Sequence, residues 1–182
     1  PWELDVQALV ARYALPADYL LEYSAAMPAW LVNLGAAIEQ GVVLLFDYGY
    51  DQQEYYHPQR VLGNMKCYAK HRLHRDPLVL VGEQDITANV DFTAVAQHAR
   101  LAGFELEYYL TQSEFLLNTG IGDMASYCLR GQDLVASYQA QQALKTLLLP
   151  SEMGTAIKAM ILSKNWRYDL PQFLGADISF RL

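Results

Sequence analysis

Three features of this 182-residue sequence predict an α/β protein built on a Rossmann-like sheet. Apolar segments of strand length alternate with amphipathic helical ones, the pattern of a sheet flanked by helices. Val42 to Phe46 is apolar without interruption, as in a strand covered on both faces inside a parallel sheet. At Gly103 a helical pattern passes straight into a period-2 pattern, which is an α/β junction.

In chain order, Tyr19 to Tyr23 is apolar and aromatic and reads as a first strand, with Ser24 behind it as a helix N-cap. Pro28 then falls in the first helical turn, where proline is tolerated, Leu31, Leu34 and Ile38 follow at helical spacing, and Gly41 supplies the stop. The 42–46 strand comes next and ends in Asp47-Tyr48-Gly49-Tyr50. Asp51 to Arg60 is polar and aromatic, contains Pro58, and suits no regular core element. Asn64 to His71 is a candidate strand and Asp76 to Asp85 a connecting loop. Asp91 is placed to cap a helix in which Phe92, Val95, Ala96 and Ala99 keep i, i+3, i+4, i+7 spacing, and Gly103 ends it. Phe104, Leu106, Tyr108 and Leu110 then alternate as a half-buried strand. Leu134, Val135, Tyr138, Leu144, Leu147 and Leu148 mark a second amphipathic helix closed by Pro150, and Ile157 to Leu162 is a last short strand.

Composition narrows the function classes. A chain of this size buries roughly 70% of the surface its unfolded form exposes, and its length suits one domain. Thirteen Lys and Arg against twenty Asp and Glu give a formal charge of −7, without the basic footprint that phosphate-backbone binding requires. Nucleic acid is therefore not an expected partner. Nor is a membrane: the longest apolar stretch, Ala25 to Ile38, is interrupted by Pro28 and Asn33 and falls short of the roughly 20 residues a spanning helix needs. Cys67 and Cys128 show no CxxC spacing and no signal peptide is apparent, so two buried reduced thiols in a reducing, cytoplasmic compartment are expected.

Ligands of open parallel sheets bind outside the carboxyl ends of the strands. Asp47, Tyr48, Gly49 and Tyr50 sit at that end of the most apolar strand, which makes a carboxylate, two phenols and a close-approach residue the first candidate site. Turn chemistry accounts for the Asp and Gly without a site. His71-Arg-Leu-His74 with Asp76 offers no convincing third ligand and has two arginines beside it, so no metal is expected. His98 falls on the helix after Asp91 and is expected at the surface. Gly120-Ile-Gly122 lacks the third glycine of a dinucleotide loop. Asp85-Ile-Thr87 and Asp91-Phe92-Thr93 place acids and hydroxyls in two turns before a helix, where capping and substrate contact are equal alternatives.

The blocks GVVLLFDYGYDQQEYYHPQR, GNMKCYAKHRLHRDPL, GEQDITANVDFTAVAQHARLAGF and LLLPSEMG, in this order, resemble the MidA-like family of S-adenosylmethionine-dependent methyltransferases, which includes mitochondrial complex I assembly enzymes. The resemblance runs from about Tyr19 to Ser163. Asn89, Val81 and Thr155 depart from it, standing where the family carries a histidine or acid, a proline and a glutamate. It implies a Rossmann-like class I methyltransferase sheet, with residues 1–182 the C-terminal portion of one domain that lacks the acidic, glycine-rich cofactor loop. S-adenosylmethionine is the implied cofactor, bound weakly by this portion alone, and a protein arginine nitrogen is the implied acceptor. A non-catalytic binding or assembly module on the same fold is the alternative, and self-association is open.

On that resemblance Asp47, Tyr48 and Tyr50 are the catalytic candidates, with Asp47 and Gly49 toward the cofactor and Asp85, Asp91 and Phe92 toward substrate. A carboxylate such as Asp47 would orient a guanidinium through paired hydrogen bonds. Tyr48 or Tyr50 would offer a ring face to a sulfonium, an attraction of about 0.5–2 kcal/mol.

Overall fold

A computed structural model describes residues 2–70, 72–128, 133–173 and 175–182. Two N-terminal helices, α1 (Trp2–Tyr13) and α2 (Met27–Ala37), precede the strand β1 (Gly41–Tyr50) and the one-turn helix α3 (Gln52–Tyr55). Short strands β2 (Lys66–Ala69), β3 (Arg72–His74), β4 (Asp85–Thr87) and β5 (Val90–Asp91) lead to α4 (Phe92–Leu101) and β6 (Glu105–Thr111). Helices α5 (Gln112–Asn118), α6 (Ile121–Cys128) and α7 (Leu134–Leu148) then return the chain to β7 (Ile157–Lys164) and a 3-10 turn, Ser179–Arg181.

The main sheet has the order β5-β1-β7-β6, and a separate antiparallel sheet has the order β3-β2-β4. The α/β class expected from the sequence holds, but the sheet is mixed. β7 runs antiparallel between β1 and β6, and among the described residues the only parallel pairing of β1 joins Gly49 and Tyr50 to Val90 and Asp91. The strand buried on both faces is thus β7, where Ile157 and Ala159 to Ser163 are all buried. Its Met160 and Leu162 side chains pack with Leu31 of α2 and with Phe92, Val95 and Ala99 of α4. On the other face, Ala159 and Ile161 pack with Leu110, Phe173 and Ala176.

Several local expectations meet their physical reasons here. Asp91 does cap α4, its Oδ1 accepting from the Ala94 N–H at 2.9 Å, and Gly103 follows at φ +85°, a conformation that only glycine adopts freely. Tyr19 to Tyr23 is no strand, because among the described residues only Leu20 finds a backbone partner across from it, Val61 at 2.9 Å. α2 begins at Met27, not behind Ser24, and its N-cap Ala26 provides no side-chain bond. β6 carries a bulge: Leu106 faces Leu162 and Tyr108 faces Ile161, so Glu107 is the extra residue and the alternation shifts there. α7 forms as expected, yet Leu134, Val135 and Tyr138 are exposed. Cys67 is buried with a free thiol, whereas the Cys128 side chain and His71 lie outside the described residues.

Candidate functional site

The chain leaves β1 at Tyr50 and turns at Asp51, whose Oδ1 accepts from the Glu54 N–H at 3.1 Å and so starts α3. Asp51 is nearly fully buried, and its other oxygen pairs with the Arg181 guanidinium at 2.6 Å. Gln52 comes next and joins three helices. Its N–H donates to Thr93 Oγ1 at 2.9 Å, its Nε2 donates to Asp91 Oδ2 at 2.9 Å, and its Oε1 accepts from the Tyr13 hydroxyl at 3.2 Å.

These bonds form the inner wall of a cleft of about 640 Å³ at the carboxyl end of β1. One side is α1, with Asp5 and Arg12; the other is α4, with Ala94 and His98; Tyr23, Met27, Tyr55, Tyr56 and Met65 supply apolar and ring surface. The size and the mixture of rings with a few polar groups match small-molecule sites generally. The rings are braced: Tyr55 and Tyr56 meet edge to face at 4.9 Å, and Tyr13 stacks on Tyr56 at 5.7 Å. Glu22 serves the wall itself, its carboxylate accepting from the N–H groups of Asn64 at 2.8 Å and Met65 at 2.6 Å.

Acids predominate in the lining, with Asp5, Glu22 and Asp91 against Arg12 and His98. Burial pushes the Asp91 carboxyl up from its ordinary value, while the bonds from Ala94 and Gln52 pull it down. Burial likewise raises the Tyr55 phenol, with the Glu22 carboxylate adding to it, and the Tyr56 phenol, with Asp91 adding most among the charges. Both phenols are therefore neutral hydrogen-bonding groups around neutral pH. The arrangement suits a cationic, partly planar ligand, which could lie against a ring while a carboxylate takes its N–H donors.

The residues expected from sequence are dispersed. Asp47 is exposed on β1, its carboxylate accepting from the neighbouring Tyr48 N–H at 2.7 Å, and it does not line the cleft. Tyr48 is exposed and faces the side of the sheet that carries Phe46 and Phe115. Tyr50 is half-buried behind the cleft, its ring under the Arg60 guanidinium at 4.2 Å. Gly49 is buried because a Cβ there would collide with the Val90 carbonyl and lie 2.7 Å from the Phe92 ring, so it serves packing. Phe92 is 1% exposed and belongs to the core, out of reach of a ligand. Asp85 is exposed on β4 in the second sheet, away from the lining. Only Asp91 of the group borders the cleft.

Gln52, Tyr55 and Tyr56 escaped the sequence reading because a four-residue helix leaves no periodicity. Their concentration of polar and ring residues directly after β1 was the available signal. His98, expected at the surface, is half-buried in the lining. Among the described residues no three His, Cys, Asp or Glu side chains come together as metal ligands, and no helix is long and apolar enough to cross a membrane.

A cleft beside the carboxyl end of a sheet strand, under helices, places the molecule in the class of α/β folds that bind ligands at such strand ends. Residues 2–110 match the family model described as "Putative S-adenosyl-L-methionine-dependent methyltransferase", and the chain belongs to that family. A crystal structure from Burkholderia thailandensis, of a methyl transferase candidate bound to S-adenosyl-homocysteine, is 33% identical and superposes with a TM-score of 0.88 over 98% of this chain and 46% of its own. A second, of an uncharacterized protein from the same organism, is 35% identical with a TM-score of 0.81 over 88% of this chain and 42% of its own. The chain thus spans less than half the length of these solved proteins. No protein of curated function matches it in sequence.

Proposed function

We propose that the protein acts in S-adenosylmethionine-dependent methyl transfer to a protein arginine nitrogen, with the cleft beside β1 receiving the acceptor group. The observation that carries this is the pairing of braced tyrosine rings with the Asp91 carboxylate in a cleft of a chain from this methyltransferase family. The cleft's donor set also fits a sulfonium cofactor. Half-buried Tyr23 offers a ring face to its positive charge, and Asn89 and Asp91 offer hydrogen-bonding oxygens to its hydroxyl groups. When bound, that cofactor supplies an electrophilic methyl group carried on positively charged sulfur.

The tasks left to this chain are to hold the nitrogen in line, to exclude water and to receive a proton. Alignment of two reacting groups is worth about 7–11 kcal/mol when the geometry is held tightly. Gln52 provides such rigidity to Asp91, because its own side chain is fixed at both polar ends. The Asp91 oxygens keep free lone pairs after accepting from Gln52 and Ala94, enough to accept guanidinium N–H groups. As the nitrogen gains the methyl group it loses a proton, and the raised affinity of half-buried Asp91 for protons suits it to take that proton up. Tyr55 and Tyr56 keep water from the wall.

The test is transfer of isotopically labelled methyl groups by the whole protein to proteins of a cell extract, followed by amino-acid analysis of the labelled product. Methylarginine is the expected label. Label in another residue overturns the arginine assignment, and no labelled protein overturns the reading as a whole.

A further inference from the structure

Between β3 and β4 the chain turns four consecutive aliphatic residues toward solvent: Leu78, Val79, Leu80 and Val81 are 79%, 54%, 41% and 76% exposed. A surface run of that kind works against solubility unless something covers it. The turn is also held in one shape. The Asp76 carboxylate accepts from the Leu78 N–H at 2.9 Å, the Leu80 carbonyl accepts from the Glu83 N–H at 2.9 Å, and Gln84 Nε2 donates to the Pro77 carbonyl at 2.7 Å. A preordered apolar surface loses little entropy when a partner covers it.

Charge sets its surroundings apart. From Tyr55 to Arg75 the sequence has no acid and holds five of the chain's thirteen Lys and Arg residues. Lys70, Arg72 and Arg75 are exposed around β3, and acids return at Asp76, Glu83 and Asp85 on the way to β4. The same small sheet runs into the cleft: Met65, directly ahead of β2, and Ala88 and Asn89, directly behind β4, belong to the lining. An acid-rich cleft therefore continues onto a shelf that is cationic at β3 and aliphatic at the turn.

We infer that this shelf docks the acceptor protein, and that it takes a segment of aliphatic and acidic residues close to the arginine that enters the cleft. The inference rests on the proposed arginine acceptor and adds the character of the sequence around it. β4 crosses the sheet in three residues, a rise of about 10 Å, so extended polypeptide leaving the cleft meets the turn within roughly three to six residues. Opposite charges on cleft and shelf fix how the segment lies, because a segment with the reversed pattern sets like charges together.

Fluorescence anisotropy with the whole protein tests it, using three labelled synthetic peptides. All share one arginine, and about four residues beyond it they carry Glu-Leu-Leu-Glu, Lys-Leu-Leu-Lys or Gly-Ser-Ser-Gly. The first should bind at least about tenfold more tightly than the other two, the gain expected of covering an aliphatic side chain and matching charge. Val81→Asp and Arg72→Glu, both at exposed positions, should each remove that preference while the third peptide binds as before. Equal affinities for the three peptides overturn the inference. So does binding to phosphatidylserine vesicles, or a dimer in light scattering, that Val81→Asp abolishes, because the turn then has another occupant. A Val81→Cys side chain that a maleimide fails to label has the same force, since other polypeptide of the whole protein then covers the turn. Anisotropy needs no turnover, so a bound peptide that is never methylated counts against the arginine acceptor, and equal affinities count against the shelf.

Discussion

Asp91 has two jobs that pull its charge in different directions. Its carboxylate caps α4 and accepts from Gln52, both of which favour the ionised form, yet burial raises its affinity for a proton and is the largest influence. The folded state therefore holds this proton more tightly than the unfolded chain does. The resulting stabilisation is complete below the unfolded value of about 3.9 and is lost as pH rises through the elevated folded value. Relative to Asp91→Asn, which retains a capping side chain, the protein should lose stability as pH rises from about 4 toward 7. Guanidinium midpoints of the two proteins across that range check this; a difference that grows in favour of the aspartate contradicts it. Asp91 was also the most legible site residue, because an acid two places after Asn89 and directly ahead of a helical apolar pattern is a cap by chemistry alone. Its second partner, Gln52, is 39 positions away, and no local spacing announces it.

At the scale of elements, the helix behind Asp91 and the strand after Gly103 were readable because cap, period and stop agreed over ten or more residues. Tyr19 to Tyr23 had strand-like residues without a strand to pair with, and pairing is decided by the rest of the chain. The place of β7 was not legible either: hydrophobicity identifies a strand but does not reveal that the last strand inserts antiparallel beside the first. That insertion explains why Asp47, directly across from Lys158, stands at the sheet surface and not in the cleft. The C-terminal 3-10 turn matters to the site through Arg181, which compensates buried Asp51 at the entrance to α3. Because Arg181 is half-exposed, Arg181→Gln should cost about 1–2 kcal/mol, between a surface pair and a fully buried one. In an Asp51→Asn background the same change should cost little, and a double-mutant cycle in denaturant reads the difference. Equal costs in both backgrounds would show that the pair does not hold this turn.

For the whole molecule, the α/β class was present in the sequence, and the candidate cleft lies near the strand end that the sequence singled out, whereas the identity of its lining was not legible. The DYGY segment marks where the strand ends; α1, α3 and α4 converge one turn further on and build the cleft. Among the described residues, β1 carries a strand on its second edge only at Gly49 and Tyr50. Cleft and pairing therefore meet at one end of one strand, and the account rests on the cleft carrying the chemistry. The direct measurement is kcat/KM for methyl transfer by the whole protein, compared between Asp91→Asn and Asp47→Asn. The cleft account predicts a loss of about tenfold or more for Asp91→Asn and a change within about twofold for Asp47→Asn, since only the first removes an acceptor charge from the site. Normal turnover in Asp91→Asn together with a large loss in Asp47→Asn would contradict it.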